Sequence, residues 1–401
     1  MKVLQINATY GYGSTGLIMR DIGDALNSSG NEAYFAYQSS KAPVENGYRI
    51  GNTVDWKAHA LLCRVLGKQG YYSKTATRKF LKHLDELAPD VVHLHNLHSN
   101  YINLNMLLKH LGEKDIPTVI TMHDCWYFTG KCFHYVDAGC DRFIVGCGNC
   151  PKRKAPPASL FFDNTAKVFE DRRRYLSNIP RLKIVGCGYW ICGEAKKGFM
   201  RDFDVVTVRN GVDTDIFKPR DGQVLKKAYG FEGKFVIMGM ANKWLLPSNS
   251  EVLERTVSSL DGDSRLLLAG CTEAQTEFLK AFGDKVVSVG FVSDRERLAE
   301  YYAMSDVFVN VTHADTLPTV NMESICCGTP VVTYDSCGSP ELVLDGCGYV
   351  VAENDVEEII KKIELVRREG SVDCAEIGKR SFDKNLCYKG YIDVYREIIK
   401  P

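Results

Sequence analysis

Short apolar runs of strand character alternate with amphipathic helical runs along almost the whole chain, and this alternation narrows the fold more than any other feature. Strand-like runs lie at residues 2–7, 32–37, 91–94, 118–121 and 183–185, then at 235–238, 265–269, 286–289, 307–311 and 330–334. Helical spacing fills the gaps, for example at 18–27, 78–87, 103–111, 294–304 and 356–368. Neighbouring parallel strands need a crossover long enough to hold a helix, so the pattern predicts parallel sheets with helices on both faces. Ligands in such sheets bind beyond the carboxyl ends of the strands. A chain of 401 residues exceeds one ordinary core. The break falls in a turn-rich stretch, Arg209-Asn210-Gly211-Val212-Asp213 through Phe217-Lys218-Pro219, where Asn-Gly marks a turn and Pro219 stops regular structure. Two Rossmann-like domains, 1–218 and 219–385, are expected, followed by a helix over 386–401 with Tyr388, Tyr391, Val394, Tyr395 and Ile398 at helical spacing.

Composition excludes several functions. The 50 basic and 50 acidic residues balance, so no net field points to nucleic acid. No apolar run approaches the roughly 20 residues that span a bilayer, and the first residues lack the apolar segment and cleavage site of a signal peptide. These features predict a cytosolic enzyme. Fifteen cysteines are many, but most stand singly in apolar contexts, as Cys63, Cys187, Cys326 and Cys337 do, which fits buried thiols.

The richest stretch for chemistry is 315–332, Asp-Thr-Leu-Pro-Thr-Val-Asn-Met-Glu-Ser-Ile-Cys-Cys-Gly-Thr-Pro-Val-Val. Pro318 suits a first helical turn, Gly328 the residue past the end, and Pro330 prevents continuation, so a helix over roughly 317–327 is expected. Its amides and positive dipole end would face the loop holding Asp315, as in diphosphate sites, and Glu323 could turn back to accept from sugar hydroxyls. An ordinary solvated helix start has the same spacing. Near the N-terminus, a strand runs into Gly11-Tyr12-Gly13-Ser14-Thr15-Gly16 and a helix carrying Arg20; this is either a ligand loop or a tight structural turn. His123 and Asp124 follow the strand ending at Thr121, where chemistry happens in such sheets, although a lone histidine is also a common structural hydrogen-bonder. His93, His95 and His98 cluster at the end of another strand, with His93 and His95 on one face, as strand-end hydrogen-bonders or a metal site. Cys132, Cys140, Cys147 and Cys150 share one loop. Four thiolates can close a tetrahedral structural zinc site, with His134 as a substitute ligand, while two local disulfides are the competing chemistry. Gly290-Phe291-Val292 ends a strand and could present backbone groups to a nucleobase.

Taken together, these motifs resemble the retaining glycosyltransferases of family 4. The acid-x7-acid spacing continuing to Gly-Thr-Pro-Val-Val, the Asn-Gly-Val-Asp linker, the His-Leu-His-Asn run and the Thr-x-His-Asp-x-Trp-x-x-Thr-Gly-x-Cys stretch with its Gly-Cys-Gly-x-Cys-Pro loop carry the resemblance over most of the chain. It implies a GT-B fold, two Rossmann-like domains facing a central cleft, with the C-terminal helix crossing back to the first domain. It implies a nucleotide-sugar donor and a glycan or lipid-linked glycan acceptor, with no metal in catalysis. By the same resemblance, His123, Asp315 and Glu323 serve the sugar and ribose; Lys243, Gly290, Phe291, Val292, Leu317, Pro318 and Thr319 join Glu323 in holding the donor. Gly13, Ser14, Thr15, Arg20, His95, Asn96 and Asp124 border the acceptor or phosphate. The implied role is assembly of bacterial surface polysaccharide such as capsule at the inner face of the cytoplasmic membrane. The basic residues Lys152, Arg153, Lys154 and Arg172 to Arg174 could meet an anionic surface, although such clusters are usually solvated faces.

The loop after residue 238 departs from the family. Lys243 can serve as its basic residue, but the expected Lys-Gly is missing, a loss of about 1.5 to 3 kcal/mol of phosphate contact if nothing replaces it. Asp315 also stands where relatives carry the longer Glu. Three other readings compete: a sugar-nucleotide epimerase on the same fold, a catalytically silent partner in a polysaccharide-building complex, and a zinc-organised interaction module.

Overall fold

The computed structural model describes residues 1–370 and 373–400, so Pro401, the last residue of the expected terminal helix, lies outside the described residues. The chain divides into two compact units: residues 1–209 with 388–401, and residues 210–387.

The first unit is built on seven strands: β1 (Lys2–Tyr10), β2 (Glu32–Ser40), β3 (Gly47–Arg49), β4 (Val91–Leu94), β5 (Thr118–Met122), β6 (Leu182–Gly186) and β7 (Asp204–Thr207). Among the described residues they form one sheet in the order β3-β2-β1-β4-β5-β6-β7, parallel throughout. The strand order reverses between β1 and β4, so their carboxyl ends flank a topological switch point. The connecting helices are α1 (Ser14–Ser28), α2 (Thr53–Leu66), α3 (Lys74–Leu87), α4 (Leu104–Glu113), α5 (Thr165–Ser177) and α6 (Tyr189–Lys197).

The second unit has β8 (Phe235–Met240), β9 (Ser264–Ala269), β10 (Val286–Val289), β11 (Val307–Asn310), β12 (Val331–Tyr334) and β13 (Gly348–Val351), in the order β10-β9-β8-β11-β12-β13, also parallel. Its switch point lies between β8 and β11. Its helices are α7 (Gln223–Ala228), α8 (Ala241–Trp244), α9 (Ser250–Ser259), α10 (Glu273–Leu279), α11 (Arg295–Met304), α12 (Thr319–Cys326), α13 (Val356–Glu369), α14 (Cys374–Phe382) and α15 (Lys384–Cys387). Ile237, Trp244, Leu266, Leu268, Val309, Val332, Tyr334 and Ile359 belong to one buried cluster that packs α8, α9, α10 and α13 against the sheet.

Two expectations change at this level. The turn-rich stretch after Arg209 belongs to the second unit: the Val212 amide donates to the Phe382 carbonyl at 2.8 Å and the Lys384 amide to the Val212 carbonyl at 2.9 Å. The single helix expected from residue 386 is two pieces. Asp383 Oδ1 accepts from the Asn385 and Leu386 amides, capping α15 within the second unit, and a new helix, α16 (Lys389–Ile399), starts after Tyr388 within the first. Tyr395 and Tyr391 of α16 bond His93 of β4 and Thr121 of β5 at 2.7 and 2.9 Å, and Glu397 pairs with Lys183 of β6 at 2.7 Å. Among the described residues, no helix is long and apolar enough to cross a membrane.

Candidate functional site

In the second unit the acidic stretch forms a tight loop between β11 and α12. The Leu317 amide donates to Asp315 Oδ1 at 3.2 Å, and the Gly338 amide donates to the Asp315 carbonyl at 3.2 Å. Gly338 is required by space: a Cβ there would stand 1.9 Å from the Thr316 carbonyl oxygen. The helix starts at Thr319, later than the spacing predicts, because Pro318 takes an extended ψ of 105° and serves as the cap. The Leu317 amide, expected to receive diphosphate charge, is thus already bonded to Asp315, and Pro318 has no amide proton. The first-turn amides of Thr319 and Val320 are the ones without an acceptor inside the helix. Beside them Thr316 Oγ1 and Ser339 Oγ are buried and find no hydrogen-bond partner among the described residues. Buried hydroxyls are seldom left so, and a polar ligand would satisfy them.

Glu323 lies one turn into α12. With Thr319 and Val320 it makes the half-buried face of a helix whose other residues are buried. Tyr302 Oη donates to its Oε2 at 3.3 Å, leaving Oε1 to accept from another donor. Burial pushes the Glu323 carboxyl from 4.5 up to about 7, against the opposing pull of Arg295 and the Tyr302 hydroxyl. A carboxyl held there gains from any hydroxyl pair that donates to its ionised form.

The loop carrying Lys243 is tied to the acidic loop by a residue that sequence reasoning missed. Asn249 is fully buried; its amide donates to the Lys243 and Val311 carbonyls, both at 2.9 Å, and its Oδ1 meets His313 Nε2 at 2.7 Å. Gly239 lets Trp244 fold back over β8, since a Cβ would lie 2.0 Å from the indole nitrogen, which instead donates to the Val309 carbonyl at 2.9 Å. Lys243 itself is half-buried in α8. Gly290, Phe291 and Val292 follow β10, with the Gly290 carbonyl accepting from the Gly270 amide at 3.3 Å and Phe291 almost fully exposed.

In the first unit, the glycine loop between β1 and α1 is pinned by Asn7, another residue missed. Its buried side-chain amide donates to the Thr9 carbonyl at 2.9 Å and Thr15 Oγ1 at 3.3 Å, and its Oδ1 accepts from the Asn96 amide at 3.1 Å. Gly13 caps α1 with φ of 66°, a left-handed conformation suited to glycine, and Ser14 and Thr15 begin the helix. The only hint of Asn7 in the sequence is a polar residue inside an apolar strand. Arg20, expected to face phosphate, lays both Nε and a terminal nitrogen on Asp21 Oδ1 at 3.1 and 2.8 Å, so its charge is largely matched already.

The histidines form hydrogen-bonded chains. His95 Nε2 meets Gln5 Oε1 at 3.0 Å, and His95 Nδ1 meets His123 Nε2 at 2.9 Å. With Gln5 accepting, His95 must carry its proton on Nε2, His123 on its own Nε2, and His123 Nδ1 is left as an acceptor. Burial lowers both histidines, His123 to about 4, so the pair is neutral at pH 7. His98 Nε2 bonds Asp124 Oδ2 at 3.0 Å, while Asp124 Oδ1 accepts from the Trp126 amide at 2.8 Å. Burial alone would raise Asp124; His98 and these hydrogen bonds outweigh it and hold the carboxyl low. His93 of β4 packs against His95, ring centroids 4.0 Å apart, but spends both ring nitrogens on Tyr395 of α16 and Thr121 of β5 at 2.7 Å, so neither nitrogen joins a site shared with His95 and His98.

Among the described residues, no three His, Cys, Asp or Glu side chains are gathered as a metal site. Cys132 and Cys150 are partners: the Cys132 thiol donates to Cys150, which is pulled down as a thiolate. Cys147 Sγ accepts from the Gly130 amide at 3.1 Å, and Cys140 is half-buried nearby. The basic cluster also changes. Arg172 is buried rather than solvated, its guanidinium 3.9 Å from the Trp126 ring centroid and donating to the Trp126 and Thr129 carbonyls. Lys152 pairs with Asp137 at 2.6 Å, and Arg153 holds the Ser159 and Leu160 carbonyls at 3.2 and 2.7 Å.

Residues 16–150 match the family described as Glycosyltransferase Family 4, and residues 229–368 match that described as Glycosyl transferases group 1. The chain is similar to the colanic acid biosynthesis glycosyl transferase WcaC of Escherichia coli K12, a function given as putative, at 22% identity over 99% of this chain and 100% of the relative. Its fold is similar to sucrose-phosphate synthase from Thermosynechococcus elongatus, at a TM-score of 0.72 and 14% identity over 99% and 98% of the two chains. It is also similar to Anabaena HepE solved with UDP-glucose, at a TM-score of 0.64 and 15% identity over 99% and 100%. Two parallel-sheet α/β domains with such neighbours make the fold GT-B, and the family matches, one in each unit, make the chain a glycosyltransferase.

Proposed function

We propose that this enzyme transfers a sugar, with retention of anomeric configuration, from a nucleotide-sugar donor to a glycan or lipid-linked glycan during assembly of a bacterial surface polysaccharide. The observation that carries the donor half is Glu323: a half-buried carboxyl pushed up to about 7, one turn inside a helix whose first amides and neighbouring buried hydroxyls lack acceptors or partners. Glu323 Oε1 would accept from the ribose hydroxyls while Tyr302 keeps Oε2. The Thr319 and Val320 amides would receive the charge developing on the departing diphosphate, with Lys243 as the cation, which is the interaction that most favours bond cleavage. Asp315, its loop fixed by Gly338, would hold the sugar. In the first unit, neutral His123 with Nδ1 as acceptor would take a hydrogen bond from a sugar hydroxyl, and Asp124 with the glycine loop would border the acceptor.

The similarity to WcaC supports the polysaccharide role, and HepE solved with UDP-glucose supports a nucleotide-sugar donor. Incubation with UDP-glucose and lipid-linked glycans tests the reading by release of UDP and by the anomeric configuration of the new bond. An α-linked product supports retention, and a β-linked one overturns it. One departure favours a silent partner instead: Lys243 stands without the expected Lys-Gly. That alternative predicts no binding of any nucleotide.

A further inference from the structure

We propose that Gln5 is a positioning residue that, through His95, fixes His123 as a hydrogen-bond acceptor. The site then favours a donor sugar that presents a hydroxyl to His123 over one whose group there can only accept, such as a carboxylate or a fluorine. The inference rests on the contact proposed above between His123 and the donor sugar, and adds what that contact selects.

Three successive residues of β1 hold the end of β4. Gln5 Oε1 meets His95 Nε2 at 3.0 Å, the Ile6 carbonyl accepts from the His95 amide at 2.9 Å, and Asn7 Oδ1 accepts from the Asn96 amide at 3.1 Å. Tyr127 Oη donates to the His95 carbonyl at 2.5 Å. The backbone on both sides of the His95 peptide is thus pinned, and its ring lies within 18° of the plane of the His123 ring, with Nδ1 2.9 Å from His123 Nε2.

Gln5 and His95 are fully buried, and burial keeps both histidines neutral, so each ring carries one N–H. A chain of two neutral imidazoles has only two arrangements. With the Gln5 oxygen toward His95, the lone pair emerges at His123 Nδ1. With the amide reversed, every proton moves to the other nitrogen and His123 Nδ1 becomes a donor. The side chain of residue 5 therefore decides what His123 offers a ligand, without touching the ligand itself. Packing does not explain an amide here: Gln5 Nε2 is buried and finds no hydrogen-bond partner among the described residues, a penalty that an apolar side chain in this strand would avoid. The bond from Gln5 Oε1 to His95 does explain it.

A hydroxyl both donates and accepts, so it fits either arrangement. A group that only accepts would face the His123 lone pair with no proton between them, and losing that hydrogen bond weakens binding by about tenfold.

Nitrogen-15 NMR of the imidazole rings in the full-length protein reads the tautomers without any nucleotide. Wild-type His123 is expected to carry its proton on Nε2 alone, and Gln5→Leu to divide it between the two nitrogens. Binding is then measured for UDP-glucose and its 2-, 3-, 4- and 6-deoxyfluoro analogues, in which fluorine replaces a hydroxyl and cannot donate. At one position fluorine is expected to weaken wild-type binding by about tenfold or more, and Gln5→Leu to shrink that penalty by about threefold or more. A wild-type His123 protonated on Nδ1 overturns the proposal, and this result stands even where a lowered melting temperature shows Gln5→Leu to be misfolded. Fluorine penalties identical in wild type and a folded Gln5→Leu also overturn it, because a purely structural role lowers all five affinities by one factor. A protein with the Nε2 tautomer that binds no UDP-glucose keeps the hydrogen-bonded chain and loses the proposed transfer from that donor.

Discussion

Glu323→Gln should flatten a specific part of the stability profile. The carboxyl titrates at 4.5 ordinarily and about 7 in the folded protein, so the fold binds its proton more tightly than the unfolded chain does. Stability from this group is therefore complete below about pH 4.5 and is lost as pH rises through about 7. At 1.36 kcal/mol per pH unit, the gap gives a ceiling of about 3 kcal/mol, reduced by the partial exposure of the side chain. Gln keeps the shape and still accepts from Tyr302 but has no proton to lose. Denaturant unfolding of both proteins at about pH 5 and about pH 8.5 isolates Glu323, since every other group titrates alike in both. Wild type should lose up to about 3 kcal/mol more than the variant across that interval. Parallel profiles would refute the buried, proton-holding carboxyl and with it the reason assigned to its position.

Gly338→Ala should drive a Cβ into the Thr316 carbonyl, cost about 1 to 3 kcal/mol and weaken stabilisation by nucleotide; melting curves with and without ligand check both effects. Arg172→Leu strips the Thr129 carbonyl of its guanidinium donor, leaves the Trp126 carbonyl only the Thr129 amide at 3.4 Å and removes the cation over Trp126, so a loss of about 3 kcal/mol or more is expected in denaturant unfolding. A solvated Arg172 would instead give a change within about 0.5 kcal/mol. Cys150, drawn toward thiolate by Cys132, should be alkylated before Cys132 at neutral pH, as mass spectrometry of peptides would show. Equal protection of all four loop cysteines, with bound zinc found by metal analysis, would favour the closed thiolate site instead.

The parallel sheets were legible because their β-rich runs are continuous and apolar, as strands buried on both faces must be. The acidic loop was legible in kind, although its helix begins only at Thr319 because Pro318 and the Asp315 turn consume the residues before it. Helix α2 was passed over because its apolar stripe points outward, where core patterning gives no guidance. Arg172 looked like part of a solvated basic run, since the ring and carbonyls that hold it lie more than forty positions away. Asn7, Asn249 and Gly338 act through contacts between loops distant in sequence, and each is a common residue type with no local periodicity. What failed to show was therefore the scaffolding that fixes these loops.

The most direct test of the donor site is a thermal-shift titration with UDP-, GDP-, ADP- and dTDP-sugars, on wild type and on Glu323→Ala. Ligand at about 100 times its dissociation constant should stabilise the fold by roughly 2.7 kcal/mol. A clear shift is expected with one nucleotide family, lost in Glu323→Ala. No shift with any nucleotide, or a shift that survives Glu323→Ala undiminished, would contradict it.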